Sequence, residues 1–531
     1  MQINQVPLTE AGYLKSLMID YVYENKNIQA FYNRFPSVAA AEAQILEKNK
    51  SAVARPVLVE ALKEQYKSLP HSSHQESVEE NIEILAKETA FSVTTGHQLC
   101  LFTGPLYFIY KIANAINMAK ELREKYPQNQ FVPVFWMASE DHDFEEINHI
   151  HFKGHKISWH REMGGAVGRM EVESCAKALE ALSLHFPEGN RAAYLMDLFQ
   201  KAYQHKNLAE ATRFLVNELF GEFGVVVIDG DDAKLKALVA PHFKRELLEG
   251  IGEQYVTESS EKLDKLGYKI QVNPRDVNLF YLRDDYRERI TRKESGFATA
   301  DGKHQFSEKE ILNELEFHPE RFSPNVILRP LYQEVILPNL AYIGGGGELA
   351  YWLEMKSMFK AFNVPFPMLR LRNSVGVTPR AISRKIEKLD FSSQELFQSF
   401  HELSTTLVKR NSDIDDQFKN IRNDWKESLE KWNAFTLDFD PTLSSSVGAE
   451  RAKILNGLMR LEKKVIRNKK RHEGDKLRML QEVKNELFPG NGLQERKDNF
   501  CKMYLAFGDG FIQDVLNATR PFENEFTLLN E

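Results

Sequence analysis

At 531 residues the chain is too long for one ordinary hydrophobic core, and 42% hydrophobic with 27% charged residues is ordinary soluble composition, so two or three domains are expected. A formal charge of −7 and a pI near 6.2 give no global basic field, which disfavours nucleic acid as the main partner. The three cysteines, Cys100, Cys175 and Cys501, form neither a disulfide framework nor a CxxC pair. The N-terminus lacks a basic region followed by an apolar core, and no stretch approaches about 20 uninterrupted apolar residues, so a cytoplasmic chain without a membrane span is expected.

Residues 9–90 read as short amphipathic helices broken by Pro36, Pro56 and Pro70. Residues 91–95 form a short strand, and a helix opens at Pro105 and runs to Arg123, with Gly104 placed to cap it. Residues 131–138 are continuously apolar, as a parallel strand covered on both faces requires, and complete a βαβ unit. The alternation and glycines of 148–172 suggest a small antiparallel insertion, followed by helices from 176 to 222. Another buried strand, 225–228, ends in Asp229-Gly230-Asp231-Asp232 and leads into a helix. Short strands over 268–306 suggest a second insertion. A strand at 340–343, a turn at 344–347, a helix at 348–362 and a last strand at 367–371 complete the core.

From 378 onward the periodicity becomes that of a coiled coil. Leu396, Phe400, Leu403 and Leu407, then Ile414, Phe418, Ile421, Trp425 and Trp432, recur at steps of four and three, with a stutter near Arg410 and Asn411. Ile454, Leu458, Leu461 and Val465, and later Leu480, Val483 and Leu487, repeat the pattern after a turn beginning at Asp438. Folded there into an antiparallel hairpin, the chain would set Asp413, Asp415 and Asp416 beside Arg467, Lys469, Lys470 and Arg471. Such a hairpin is too long to pack wholly on the core, and part of its seam is expected to pair with a second copy as a homodimer.

Two strand ends carry the densest chemistry. Gly96, His97 and Gln98 follow the first strand and resemble the Gly-His turns of nucleotidyl-transferring enzymes, while the helix N-terminus after Thr103-Gly104-Pro105 offers unpaired N–H groups to an anion. Against this, His97 could merely satisfy a core hydrogen bond. Tyr107 and Lys111 sit in the first turns of that helix at helical spacing and could reach the same pocket, although Lys111 reads more simply as a solvated lysine. Glu140-Asp141-His142-Asp143 follows the next strand, and so many ionisable groups need a substrate ammonium, a metal or arginines to offset them. Their spacing matches no standard metal signature, so no tightly bound metal is expected. The plainer alternative has Asp143 capping the next helix while the others face solvent.

The run from Gly344 to Gly347, including Gly345 and Gly346, could cradle phosphate, yet it is neither a P-loop nor a GxGxxG motif. Glu348, Tyr351 and Trp352 follow it, Trp352 reading more readily as packing. Arg329 precedes it, where its fork could take a carboxylate, with Gln333 close by. No GxSxG appears, and Cys100 reads as packing.

Thr95-Gly96-His97-Gln98, the run from Leu101 to Tyr107, Trp136-Met137-Ala138-Ser139-Glu140-Asp141-His142-Asp143, the run from Arg329 to Glu334 and that from Ile343 to Trp352 together resemble the bacillithiol-biosynthesis cysteine-adding family over essentially the whole chain. The resemblance implies an α/β fold: a Rossmann-like parallel-sheet core with two inserted connecting regions, plus an α-helical antiparallel coiled-coil domain and a dimer. The expected parts are an N-terminal helical segment over 1–90, the core over 91–377 with insertions near 148–222 and 268–325, the hairpin over 378–490, and a C-terminal helical segment over 491–531 returning to the core. The implied reaction joins the carboxyl of cysteine to the amine of glucosaminyl malate. Asp141 or His142 is then the expected base and His97 the phosphate or oxyanion stabiliser, with the other residues named above binding substrate. Amide formation requires an activated carboxyl, which points to ATP. Arg496, Lys502 and Tyr504 resemble the family's nucleotide-associated segment, so ATP or ADP is the expected nucleotide. The absence of a KMSKS-like loop leaves adenylate and acyl phosphate both open. Two other classes stay in view: a nucleotidyltransferase-like enzyme acting on another small amine or acid, and a non-catalytic metabolite-binding scaffold.

Overall fold

The computed structural model describes residues 1–69, 75–161, 164–410 and 412–531; Pro70, an expected helix breaker, and Asn411, in the expected stutter, lie outside them. The core is a five-stranded sheet made of β1 (Ala90–His97), β2 (Gln130–Met137), β3 (Val226–Asp229), β4 (Asn339–Gly344) and β5 (Met368–Leu371). The strands are all parallel, in the order β5-β4-β1-β2-β3. Their near-complete burial explains why they read as unbroken apolar runs. The register aligns their C-terminal ends: His97 pairs with Met137, Met137 with Asp229, Thr95 with Ile343, and Gly344 with Leu371. From β1 the chain moves to one side through α1 (Tyr107–Lys125) and β2. It later returns to the other side through α2 (Leu328–Ile336) and β4. The strand order therefore reverses between β1 and β4, and such a switch point opens a crevice at the C-terminal edge.

The second insertion is a five-stranded antiparallel sheet built from Leu279–Arg283, Tyr286–Lys293, Gly296–Thr299, Gln305–Phe306 and Phe322–Pro324. The first contributes only a hairpin, His149–Phe152 with His155–Ser158, before helical turns take over.

Four expectations need correction. The helix expected over 348–362 is two helices, α3 (Gly346–Trp352) and α4 (Lys356–Ala361), separated by a turn in which Glu354 is fully buried and accepts from Ser260 Oγ and the Gln271 amide. The helix expected to open at Pro105 begins at Tyr107, because Phe102, Thr103 and Gly104 all take positive φ and Leu106 N–H donates to Asp498 O. A Cβ on Gly104 would lie 2.5 Å from Cys100 Cβ, so glycine is required there to turn the chain rather than to bind. Both terminal segments also contain a strand: Gln2–Pro7 pairs antiparallel with Glu525–Asn530, which runs parallel to Ser374–Thr378.

The fourth correction concerns the tail. α5 (Phe400–Arg410), α6 (Ile414–Phe439), α7 (Ser444–His472) and α8 (Gly474–Leu487) form the expected antiparallel arrangement, α6 against α7. Among the described residues the expected pairing of acidic and basic runs is not made. Asp415 pairs with Lys409 of α5, while Lys470 donates to the hydroxyls of Ser404 and Thr405; the cross-hairpin ion pairs are Arg422 with Glu462 and Arg451 with Glu430. Short polar side chains on α5 reach Lys470 before any carboxylate of α6 does.

Candidate active site

A cavity of about 650 Å³ occupies the crevice at the switch point. Its floor is the C-terminal edge of β1, β2 and β4; the inserted antiparallel sheet supplies Phe280 and Arg287, and the C-terminal segment supplies Arg496. Arg372, just past β5, anchors that segment through two bonds to Glu495, at 2.9 and 2.6 Å. Each wall comes from a different stretch of sequence, so the cavity exists only in the folded chain.

At its centre Lys111 Nζ, buried and not solvated, donates to Gly96 O at 2.7 Å and pairs with Glu348 Oε2 at 2.6 Å. Burial pushes the Glu348 carboxyl up, but Lys111 and the Gly345 amide outweigh it and hold it below the usual range. Glu348 also takes the N–H of Gly345 at 2.8 Å. The glycine turn therefore spends that amide on its own carboxylate, which argues against the phosphate cradle. Beside it His97 packs on Tyr107 and Phe108, its Nε2 buried without a partner. Burial, with Lys111 adding to it, drives the His97 imidazole down to about 3. His97 is a neutral hydrogen-bonding group at physiological pH, not a cation.

The acidic end is organised by hydrogen bonds. Gln98 Nε2 donates to Asp141 Oδ2 at 2.9 Å and to Glu146 Oε2 at 2.7 Å, and the His142 amide donates to Asp141 Oδ1 at 2.7 Å. Burial pushes the Asp141 carboxyl up, yet the His142 ring, the Gln98 and His142 amides and nearby Arg287 hold it well below the usual carboxylate range. Glu140 lines the cavity and pairs with buried Lys236 at 2.7 Å; burial outweighs that pairing and raises its carboxyl. Lys236 is shared with Asp231, which Arg169 also grips through two bonds, at 2.6 and 2.9 Å. The acidic turn after β3 thus supports the turn after β2 from behind.

Opposite stand guanidiniums. Arg329 lies between the rings of Trp136 and Tyr342, its Nη1 donating to Gln333 Oε1 at 3.1 Å while Nη2 is buried without a partner. Arg329 makes no salt bridge among the described residues. Arg287 rests 3.8 Å from the Phe280 ring centroid and donates to His142 Nδ1 at 2.8 Å.

Comparison with known proteins decides the family. Residues 1–373 match the model "Bacillithiol biosynthesis BshC, N-terminal Rossmann-like domain", and residues 375–531 match the model of its C-terminal coiled-coil domain. The chain belongs to the BshC family. It is 44% identical to a protein of Christiangramia forsetii, covering 100% of this chain and 99% of the relative, and 44% identical to one of Flavobacterium johnsoniae, covering 100% of each. A Bacillus thuringiensis protein is 29% identical over 98% of both chains. All three are named "Putative cysteine ligase BshC".

Within this BshC fold, Gly96, His97, Gln98, Tyr107, Glu140, Asp141, His142, Arg329, Gly345, Glu348, Tyr351 and Arg496 all line the cavity. Others expected there do not. Asp143 caps the helix Phe144–Ile147 through the Glu146 amide, as the plainer alternative had it. Gln333 steadies Arg329 and donates to Glu334 instead of reaching substrate. Gly346 faces Met18 and Leu14, and Trp352 is fully buried against Tyr342. Gly104 is stapled by Asn499, whose amide donates to Gly104 O at 2.6 Å. Lys502 is taken by Glu486 and Asp498, and Tyr504 donates to Asp509 and stacks on Tyr194, so neither joins Arg496 at the cavity. Sequence reasoning missed Arg287, which lies in an inserted strand with no motif, and Arg372. The latter was findable as a polar residue directly after a buried parallel strand.

Proposed function

We propose that the chain is a ligase joining the carboxyl of cysteine to the amine of glucosaminyl malate, forming bacillithiol. The observation that carries this reading is that Arg329, which makes no salt bridge among the described residues, lines the same cavity as the Asp141–Gln98–Glu146 cluster. A guanidinium that makes no salt bridge, with only the Glu348 carboxylate nearby to offset it, can still take an arriving anion, and carboxylates lining the cavity suit an ammonium. Substrates bearing both carboxylate and amine match both ends.

In this reading Asp141, held ionised far below neutrality, is an ammonium counter-ion and a poor proton acceptor. His142 is the proposed base. His97, neutral and with Nε2 unpartnered, is the proposed hydrogen-bonding group for the oxyanion that develops on the cysteine carboxyl. ATP is the proposed source of the activated carboxyl, and Arg496, which lines the cavity, is its proposed contact.

The proposed assembly is a homodimer through the hairpin, where Trp432, Phe435 and Phe439 are 66%, 75% and 84% exposed, a solvent-facing apolar stripe that a second copy would cover. The functional reading is tested in a strain lacking the gene. A Asp141→Asn, His142→Ala double variant should fail to restore bacillithiol where the parent protein restores it, and restoration by the variant removes the cluster from the chemistry.

A further inference from the structure

Arg287 and His142 come from different parts of the chain, an inserted strand and the turn after β2, and meet only at the cavity. Arginine can only donate, so the 2.8 Å contact from its Nη1 makes His142 Nδ1 the acceptor and places the imidazole proton on Nε2. With Nδ1 occupied and Nε2 protonated, neither ring nitrogen has a lone pair to offer. Arg287 itself makes no salt bridge among the described residues; its remaining bonds go to Ser323 Oγ at 3.2 Å and Pro324 O at 3.4 Å, both neutral, and its face lies on Phe280. A guanidinium so placed makes no direct ion pair, the carboxylates of Glu140, Asp141 and Asp231 lying only near it, and a carboxylate entering the cavity would outcompete an imidazole nitrogen for it.

We propose that Arg287 reads an anionic group on the amine-bearing substrate and, on pairing with it, releases His142 Nδ1 to take the proton of that substrate's ammonium. The inference rests on the ligase reading above and assigns the acceptor's carboxylates to Arg287. The step balances without another reactant. The ammonium N–H bond breaks, its electron pair stays on nitrogen as the nucleophile's lone pair, and the proton joins Nδ1 to give an imidazolium. Asp141 Oδ1, 3.7 Å from Nδ1, lies where it stabilises that charge. An amine lacking the anion would leave Arg287 on His142 and the base blocked, so selection of the acceptor and activation of the base become one event.

The test compares two acceptors, the malyl glucosaminide and the neutral methyl glucosaminide, in calorimetric binding and in turnover, with the full-length wild type, Arg287→Gln and Arg287→Lys. Loss of a charge-assisted pair should weaken binding of the malyl glycoside to Arg287→Gln by about tenfold to a hundredfold, with Arg287→Lys in between, while the methyl glycoside changes by less than about threefold. In turnover the wild type should favour the malyl glycoside and Arg287→Gln should lose most of that preference. Equal losses on both glycosides, or no loss on either, would overturn the inference; the methyl glycoside also reports whether the variants remain folded. Arg287-dependent binding of the malyl glycoside without any product from the wild type would instead count against the ligase reading and leave the recognition role standing.

Discussion

Lys111 Nζ and Glu348 Oε2 lie 2.6 Å apart, tying the helix after the first core strand to the helix after the fourth across the reversal in strand order. With Lys111 buried, removing one partner strands a charge. Glu348→Gln or Lys111→Met should each destabilise the fold by about 3–5 kcal/mol in denaturant titrations, and the double variant should recover part of that loss.

Arg329 differs, since it makes no salt bridge among the described residues and its Nη1 bonds the neutral Gln333 Oε1. Arg329→Gln should leave the unfolding free energy unchanged or slightly raised while lowering kcat/KM by about a hundredfold, the signature of a residue kept for substrate. A large stability loss with intact kcat/KM would mark it as structural.

The buried imidazole of His97 gives stability a pH dependence. Its folded-state value, about 3, lies below the unfolded value of 6.5, so the unfolded chain binds the extra proton between these limits. The His97 contribution is present above pH 6.5 and is lost as pH falls toward 3, at up to about 1.4 kcal/mol per unit. Urea titrations at pH 7.5 and pH 5 should show a smaller difference for His97→Gln than for the wild type.

The exposed stripe on the hairpin predicts assembly. Replacing Trp432, Phe435 and Phe439 with glutamate should convert a dimer to a monomer in light scattering at micromolar concentration, without shifting the unfolding midpoint of the core. A monomeric wild type would remove the dimer.

The core strands and the two polar turns after β1 and β2 were legible because a covered parallel strand must be apolar until the residue where it leaves the sheet. His97 and Glu140 stand where that rule changes character. Lys111 was placed near the pocket but its burial was not legible, because helical spacing shows which turn a lysine occupies, not that Glu348, more than two hundred residues on, is waiting for it. The charge runs of the hairpin misled for a related reason: they complement one another in sequence, but Lys470 meets Ser404 and Thr405 first. Arg287 was invisible, since an arginine in the middle strand of an inserted antiparallel sheet carries no local sign of the histidine it will meet. The two terminal strands escaped because each pairs only with a distant stretch of chain.

The ligase reading is tested most directly by incubating the purified protein with cysteine, glucosaminyl malate and ATP and following the products by mass spectrometry. The account predicts bacillithiol, formed at a rate that falls at least about a hundredfold in His142→Ala and Arg329→Gln. Bacillithiol formed equally well by both variants, or none formed by the wild type with any nucleotide, would contradict it.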